Sequence, residues 1–128
     1  MPTIRDTRQR RAIRETFERA GRPLGPDEAL RLAQEQLPSL SIATVYRNVK
    51  ALLDEEWLVP VAVPGQSSRY EVAGKEHHHH FHCRACGKMF ELKGCVPNLR
   101  SLLPRGFRIS DHDLLLYGTC VQCVEAHR

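Results

Sequence analysis

The sequence predicts an α+β fold in two parts, and three observations support this prediction. Segments with helical spacing of apolar residues, followed by two short strand-like segments, fill residues 1–72. Two Cys-x-x-Cys pairs bracket most of the remainder, Cys83/Cys86 and Cys120/Cys123. A run of histidines, interrupted by one phenylalanine, directly precedes the first pair. At 128 residues the chain is one domain or two very small ones, and small domains commonly need a staple such as a metal.

The first part begins with two amphipathic segments that predict helices. The first helix runs from about Thr7 to Ala20 and ends at Gly21, a residue that favours the left-handed cap. The second begins at Pro26, with acidic residues near the positive end of its dipole, and stops at Pro38. The side chains predicted to face inward are Ile13, Phe17 and Ala20, then Leu30, Ala33 and Leu37.

A third helix follows Ser41, a favourable N-cap, and two short strands follow the helix. The strands are predicted at Val59–Val63 and Arg69–Val72, joined by a polar turn. The third helix is expected to bury Ile42, Val45, Val49 and Leu52 and to expose Ala43, Tyr46, Arg47 and Lys50. Three helices and a two-stranded wing make up the winged helix-turn-helix, which the sequence therefore predicts for residues 1–72.

The exposed face of the third helix has the character of a DNA-recognition surface. Arg47 suits guanine or phosphate, Tyr46 suits phosphate or a thymine methyl group, and Lys50 suits backbone charge. The formal net charge is only +4, but five arginines near the N-terminus accompany a single acid, Asp6. These arginines are Arg5, Arg8, Arg10, Arg11 and Arg14. The alternative interpretation is a surface helix of a helical bundle, with a solvated basic arm.

The second part follows a predicted hinge at residues 73–76 and occupies residues 77–128. Strands are predicted at Phe81–Cys83, Lys88–Leu92 and His112–Tyr117, with a short helix within Pro97–Leu103. The second part is therefore expected to be a small α/β domain.

The four paired cysteines have the pattern of a closed structural zinc site. Because 33 residues separate the two pairs, a folded subdomain is expected between them. No signal peptide or membrane-length apolar run is found, so we expect a cytoplasmic protein without a membrane partner, in which paired thiols favour metal over disulfide. The alternative is a set of buried or redox-active thiols. The fifth cysteine, Cys95, is interpreted as a small buried residue, with a redox role as its alternative.

The histidine run, His77–His80 and then His82, exceeds the needs of such a zinc site. In an extended strand the even-numbered histidines face one side and the odd-numbered ones the other, so one strand can supply two metal sites. Nearby residues that can complete these sites are Glu71, Glu91 and His112. Imidazole and carboxylate together suit zinc, ferrous iron, manganese or nickel. The alternative is a solvated polar strand that binds nothing.

Taken together, these motifs resemble the ferric uptake regulator superfamily of metal-dependent repressors. The segments that carry the resemblance are Thr7-x-x-Arg10, Ser41–Arg47, Arg69–Glu71, His77–Cys83, Cys86–Lys88 and Tyr117–Cys123. The resemblance implies a homodimer that binds double-stranded operator DNA through its winged helices, has a C-terminal dimerisation domain and uses no small-molecule substrate. It also implies allosteric control, because bound metal favours the arrangement that reaches DNA.

The resemblance further implies particular ligands and contacts. Structural zinc is implied at Cys83, Cys86, Cys120 and Cys123. A regulatory divalent metal (zinc, iron or manganese) is implied at Glu71, His78 and His80, with His82 as an added candidate. A second metal site is implied at His77, His79, Glu91 and His112, and the site that Glu91 serves varies among members of the family. DNA contacts are implied at Arg10, Ser41, Thr44, Tyr46, Arg47 and Lys50.

Three departures from the family pattern bear on these ligands. The stretch Gly21–Leu24 lacks the histidine that often joins the regulatory site, so the metal is expected to clamp the domains less directly or to recruit another ligand such as His82. Asn98 stands about where an acidic ligand is often found. The segment between Leu92 and His112 is a few residues short, so a clipped dimerisation helix is expected.

The predicted function is a metal-sensing transcriptional repressor that controls metal homeostasis, with zinc slightly favoured over iron because the sites are rich in histidine. A metal-storage or metal-handling protein is the second hypothesis, but it leaves the winged helix without a purpose. A zinc hydrolase or deaminase is the third. The sequence has no His-Glu-x-x-His or His-x-Glu motif, so no catalytic residues are assigned and no enzyme is expected.

Overall fold

The computed structural model describes residues Ile4–His127, with side chains described from Arg8 onward. The chain divides into two compact units, Met1–Lys75 and Glu76–Arg128. The division falls inside the segment predicted as a hinge. Arg5, one of the five arginines of the basic excess near the N-terminus, has a side chain outside the described residues. No helix among the described residues is long and apolar enough to cross a membrane.

The first unit is built on three helices, α1 (Ile4–Ala20), α2 (Pro26–Ala33) and α3 (Ile42–Asp54). Their inward faces form one core, which contains the residues predicted from helical spacing: Ile13, Phe17, Ala33, Val45, Val49 and Leu52 are buried, and Ala20, Leu30, Leu37 and Ile42 pack against them. Ser41 is the N-cap of α3, as predicted, and its Oγ accepts the backbone N–H of Thr44 at 3.2 Å. The amphipathic pattern therefore predicted this core correctly.

Helix α2 is shorter than predicted, because it ends at Ala33 rather than continuing to Pro38. Hydrogen-bonded turns follow, in which the N–H of Leu37 still bonds the carbonyl of Ala33 at 3.0 Å. The side-chain amide of Gln34 donates to the carbonyl of Leu40 at 3.0 Å and stabilises these turns. The helix therefore ends before it reaches Pro38, which disfavours helix in the residue that precedes it. Leu37 nevertheless packs against the core, as its spacing predicted.

The wing of the first unit consists of β1 (Leu58–Val61) and β2 (Arg69–Val72), which pair antiparallel with Leu58 opposite Val72. Tyr70 extends this hairpin through two backbone hydrogen bonds of 2.9 Å with Leu24, which joins the wing to the segment before α2. Three helices and this wing confirm the winged helix-turn-helix.

The second unit is a three-stranded sheet with short helical segments. Its strands are β3 (His78–Cys83), β4 (Met89–Lys93) and β5 (Leu115–Gly118), in the order β4-β3-β5, with β3 antiparallel to β4 and parallel to β5. A single 3₁₀ turn, Leu99–Leu102, lies between β4 and β5. The predicted short helix is therefore present, reduced to one turn.

Two features of the second unit differ from the prediction. His112 was expected in a strand, but it lies three residues before β5, where its N–H bonds the Oδ1 of Asp111 at 2.8 Å. This local bond to an acidic side chain competes with strand pairing, and acidic residues are poor strand formers. The helix α4 (Val121–Ala126) was not predicted; it begins inside the second cysteine pair, directly after Cys120.

Candidate metal centres and nucleic-acid interface

The four paired cysteines converge in the second unit, with ligand atoms that all lie within 4.8 Å of one another. The first pair lies at the last residue of β3 and in the turn after it, and the second pair lies at the N-cap and in the first turn of α4. The Sγ atoms of Cys86 and Cys120 are 3.8 Å apart, and two sulfurs bound to one tetrahedral zinc are also about 3.8 Å apart. The donor set and its spacing therefore fit a structural zinc ion.

Electrostatics at the four thiols favour a bound cation. The backbone N–H of Cys120, followed by that of Cys86, lowers the pKa of Cys83 to about 6. The pKa of Cys123 shifts in the opposite direction: its hydrogen bond to Cys120, followed by burial, raises it to about 12. Four crowded thiols cannot all lose their protons near neutral pH without positive charge, and a divalent metal supplies that charge.

The histidine run alternates across β3 in the way its sequence predicted. His79 faces one side and lies against His77 and His112, with ring centroids 4.6 Å and 5.0 Å away. His78 and His80 face the other side, with ring centroids 4.8 Å apart. One strand thus contributes imidazoles to two separate groups.

The first group brings four potential ligands together: His77, His79, Cys95 and His112. The Nε2 atoms of the three histidines are mutually 3.1–3.2 Å apart. Burial, followed by the neighbouring His77 and His112, lowers the pKa of His79, so its imidazole is neutral at pH 7 and offers a lone pair.

This group differs from the predicted second site in one member. Glu91 was placed in it, but Glu91 pairs with His80 across the β3–β4 ladder, and directly paired residues share a face of the sheet. Glu91 consequently lies with His78, whose Nε2 is 3.8 Å from its Oε1. Cys95 occupies the place that was assigned to Glu91. The interpretation of Cys95 as a buried residue was wrong, because its side chain is exposed. The odd number of cysteines was the only sequence signal for this role.

The second group contains His78, His80 and Glu91. The Nδ1 of His78 is 2.7 Å from the carbonyl oxygen of Glu76, which can only accept, so Nδ1 donates to it and Nε2 is the nitrogen that a metal can bind. His82 is buried, and its ring packs edge-on against Tyr117 at 5.9 Å. Glu71 lies on β2 of the first unit. The places of Glu71 and His82 in a regulatory ligand set stay predictions.

The outward face of α3 presents the side chains predicted to contact DNA. Tyr46 is 56% exposed, and Arg47 and Lys50 are exposed beside it. Thr44 is buried, and its Oγ1 accepts a hydrogen bond from Arg47 Nη2 at 3.1 Å, so Thr44 positions the guanidinium of Arg47. The capping bond, which the Thr44 N–H donates to Ser41 Oγ, therefore supports the position of the arginine as well as the start of the helix.

The arginines of α1 are only partly available to a polyanion. Arg10 makes an ion pair with Glu55 at 3.1 Å and lies 3.5 Å from the Oδ1 of Asn48, which fixes α1 against α3. The guanidinium of Arg14 stacks on the ring of Trp57 at 4.9 Å. Arg8 and Arg11 are exposed. The basic excess predicted from the sequence is thus shared between the surface and internal contacts.

A winged helix in one unit and clustered metal ligands in the other define the class of metal-binding winged-helix proteins. The sequence profile of the ferric uptake regulator family matches residues 2–117. The chain therefore belongs to the ferric uptake regulator family, whose members are metal-responsive transcription regulators and not enzymes.

Individual relatives support this membership. The ferric uptake regulation protein of Campylobacter jejuni is 29% identical over 125 residues, covering 94% of this chain and 80% of the relative. The solved structure of a zinc-bound manganese uptake regulator has 32% identity and a TM-score of 0.76, with 88% of each chain covered. The structure of the Helicobacter pylori ferric uptake regulator, with three functional metal-binding sites, has 27% identity and a TM-score of 0.67, covering 91% of this chain and 80% of that one.

Proposed function

We propose that this chain is a repressor that binds operator DNA as a homodimer when a divalent metal occupies its second unit, and that zinc is the metal it senses. The observation that supports this proposal is the combination, in one chain, of an exposed basic α3 and two histidine-containing groups beyond the four-cysteine site. Relatives named for iron and for manganese match similarly well, so the choice of zinc rests on the abundance of imidazole and thiol donors.

In this proposal α3 enters the major groove. Arg47 contacts a guanine or a phosphate, Tyr46 contacts a phosphate or a thymine methyl group, and Lys50 neutralises backbone charge. Because Thr44 holds the guanidinium of Arg47 before DNA arrives, less side-chain entropy is lost on binding. Ser41 contributes by fixing the start of α3, and Arg10 by fixing the contact of α3 with α1. Both are also among the predicted DNA contacts.

The four-cysteine site holds zinc permanently in this proposal, and a second ion acts as the signal. The signal ion binds His78 and His80, with Glu91 on the same face and with Glu71 and His82 as the further ligands that the family resemblance implies. His78 follows the end of the first unit, Lys75, by three residues of chain. Metal bound there restricts the segment that joins the two units, which gives a coupling free energy between metal and operator.

The homodimer is proposed to form through the second unit. Ten large hydrophobic residues are exposed among the described residues, and all but Tyr46 and Val59 belong to that unit. Several lie on or beside β5, an edge strand of the sheet, including Leu116 and Tyr117. Exposed apolar side chains concentrated in one small unit, next to an unpaired strand edge, are typical of a protein–protein interface.

The test is fluorescence anisotropy of a labelled DNA fragment from upstream of the protein's own gene, at fixed salt. The protein retains its four-cysteine zinc, is freed of loosely held metal, and is titrated with zinc, manganese or anaerobic ferrous iron. We expect DNA affinity to rise tenfold or more, about 1.4 kcal/mol of coupling, with zinc the most effective ion. Equal affinity with and without metal would instead favour a metal-handling protein.

The recognition helix is tested with matched variants in the same assay. Tyr46→Ala combined with Arg47→Ala is expected to weaken operator binding by about 10- to 100-fold or more, because one good base contact contributes about 1–3 kcal/mol. Arg31→Ala is the control, since Arg31 is an exposed arginine on α2 and its removal changes the net charge equally. If the double variant binds no worse than Arg31→Ala, α3 is not the recognition helix.

A further inference from the structure

The group formed by His77, His79, His112 and Cys95 draws its members from separate parts of the second unit. His79 is on β3 and His77 directly precedes that strand. Cys95 follows the end of β4 by two residues, and His112 precedes β5 by three. The Sγ of Cys95 lies 3.0 Å from the Nε2 of His112, 3.4 Å from that of His79 and 3.7 Å from that of His77. Four donors from three chain segments thus surround one point.

The spacing of these donors matches a tetrahedral metal site. Zinc bonds of about 2.0–2.1 Å to nitrogen and about 2.3 Å to sulfur place neighbouring nitrogens about 3.3 Å apart, and nitrogen and sulfur about 3.6 Å apart. The three Nε2 atoms are 3.1–3.2 Å apart. The three sulfur–nitrogen distances are 3.0, 3.4 and 3.7 Å, so two are shorter than the second value and one is just above it.

Hydrogen bonds do not account for this arrangement. A neutral imidazole presents either a donor or an acceptor at Nε2, so among three Nε2 atoms at least two have the same role. Two donors or two acceptors at 3.1–3.2 Å repel each other. A cation at the centre removes the conflict, because it accepts a lone pair from every nitrogen and from a thiolate sulfur.

We infer that Cys95 is the fourth ligand of a zinc site with His77, His79 and His112. Three imidazoles and one thiolate fill a tetrahedron, so the site keeps no open position and is not catalytic. The thiolate favours zinc over manganese and magnesium, which prefer oxygen ligands. An acidic ligand is often found at about the position of Asn98, but here that residue is an amide, at the N-cap of the 3₁₀ turn. We infer that the thiolate of Cys95, on the segment after β4, is the ligand that replaces it.

This zinc closes the segment between β4 and β5. Cys95 and His112 lie at the two ends of that segment, which contains one 3₁₀ turn and the exposed apolar residues Leu102 and Phe107. A metal that joins the ends reduces the conformational freedom of the intervening chain. Metal binding is therefore expected to order the segment, which carries three exposed arginines where trypsin can cut: Arg100, Arg105 and Arg108.

Cobalt(II) is the direct probe of the sulfur ligand. The whole protein, with zinc retained in its four-cysteine site, is titrated with cobalt, and the sulfur-to-cobalt charge-transfer band is recorded in the near ultraviolet. We expect the band in the native protein and its loss in Cys95→Ser, together with zinc binding at least tenfold weaker. Glu91→Gln is the matched control, because Glu91, on β4, lies on the other face of the sheet and its removal leaves the band intact.

Alkylation by iodoacetamide and cleavage by trypsin test the same zinc site without cobalt. Cys95 is exposed, so iodoacetamide should alkylate it rapidly in protein that holds only the four-cysteine zinc, and one more equivalent of zinc should protect it. His112→Ala should abolish this protection and the zinc-dependent resistance to trypsin. A charge-transfer band unchanged in Cys95→Ser, or alkylation of Cys95 equally fast with and without zinc, overturns the inference. No DNA is present, so this outcome is independent of the operator titration.

Discussion

Replacement of Cys83 by alanine is predicted to unfold the second unit while the first unit stays folded. Cys83 is fully buried, and its Sγ accepts two backbone N–H groups in addition to its proposed zinc bond: that of Cys86 at 3.4 Å and that of Cys120 at 3.3 Å. Cys83→Ala therefore removes a proposed metal ligand and leaves two N–H groups without their acceptor, of which that of Cys120 is buried.

The second unit has little else to hold it together. Met89 is the only large hydrophobic residue buried in that unit among the described residues, apart from the cysteines Cys83 and Cys120. Structural zinc contributes about 10–16 kcal/mol in small zinc-dependent domains at pH 7, and whole domains are stable by only about 5–15 kcal/mol. The buried N–H of Cys120, left unsatisfied, costs about 1–3 kcal/mol more. The loss is therefore as large as the stability expected of a whole domain.

The two units can be followed separately. The single tryptophan of the chain, Trp57, packs against the core of the first unit, so its fluorescence reports that unit alone. Zinc content after treatment with a mild chelator, together with amide hydrogen exchange of residues 76–128, reports the second unit. We expect Cys83→Ala to lose tightly held zinc and the protection of amide hydrogens from exchange in that unit. The midpoint of the denaturation transition followed by Trp57 fluorescence should be unchanged.

Two variants serve as comparisons. Cys95→Ala removes an exposed thiol outside the four-cysteine group, and tightly held zinc should remain. Cys86→Ala also removes a zinc ligand, but an exposed one that accepts neither of these N–H groups. Without metal, Cys83→Ala should therefore be the less stable of the two. If Cys83→Ala retains one tightly held zinc per chain and native exchange protection, the proposed role of this site is refuted.

Two further predictions concern α3. Ser41→Ala removes the N-cap bond to the N–H of Thr44 and should lower the free energy of unfolding of the first unit by about 1 kcal/mol, whereas Ser41→Asn should preserve that free energy. The measurement is urea denaturation followed by the fluorescence of Trp57. Equal stability of the two variants would contradict the capping role. Lys50→Ala should weaken binding to all DNA sequences alike and reduce the slope of log affinity against log salt by about 0.9, since one phosphate contact is lost. An unchanged slope would remove Lys50 from the interface.

Much of the fold was predictable because it depends on local periodicity. The apolar spacing in α1 and α3 predicted the core of the first unit, and Ser41 and Pro26 predicted where helices begin. The alternation of histidines along β3 predicted their division between two faces, since side chains alternate along any strand. The end of α2 was not predicted in the same way, because turns replace the helix after Ala33 although the apolar spacing continues to Leu37.

The sequence by itself determined which chemistry this protein carries: a basic recognition helix, four thiols in two pairs and a surplus of imidazoles. Only the tertiary structure decided how the ligands are grouped. The register between β3 and β4 sets Glu91 beside His78, and the path of the chain after β4 returns Cys95 to His79 and His112. Residues 13 to 17 positions apart meet through strand pairing and chain reversal, which no local pattern encodes. For that reason Cys95 was misinterpreted from the sequence as buried, although its sulfur lies among three imidazoles.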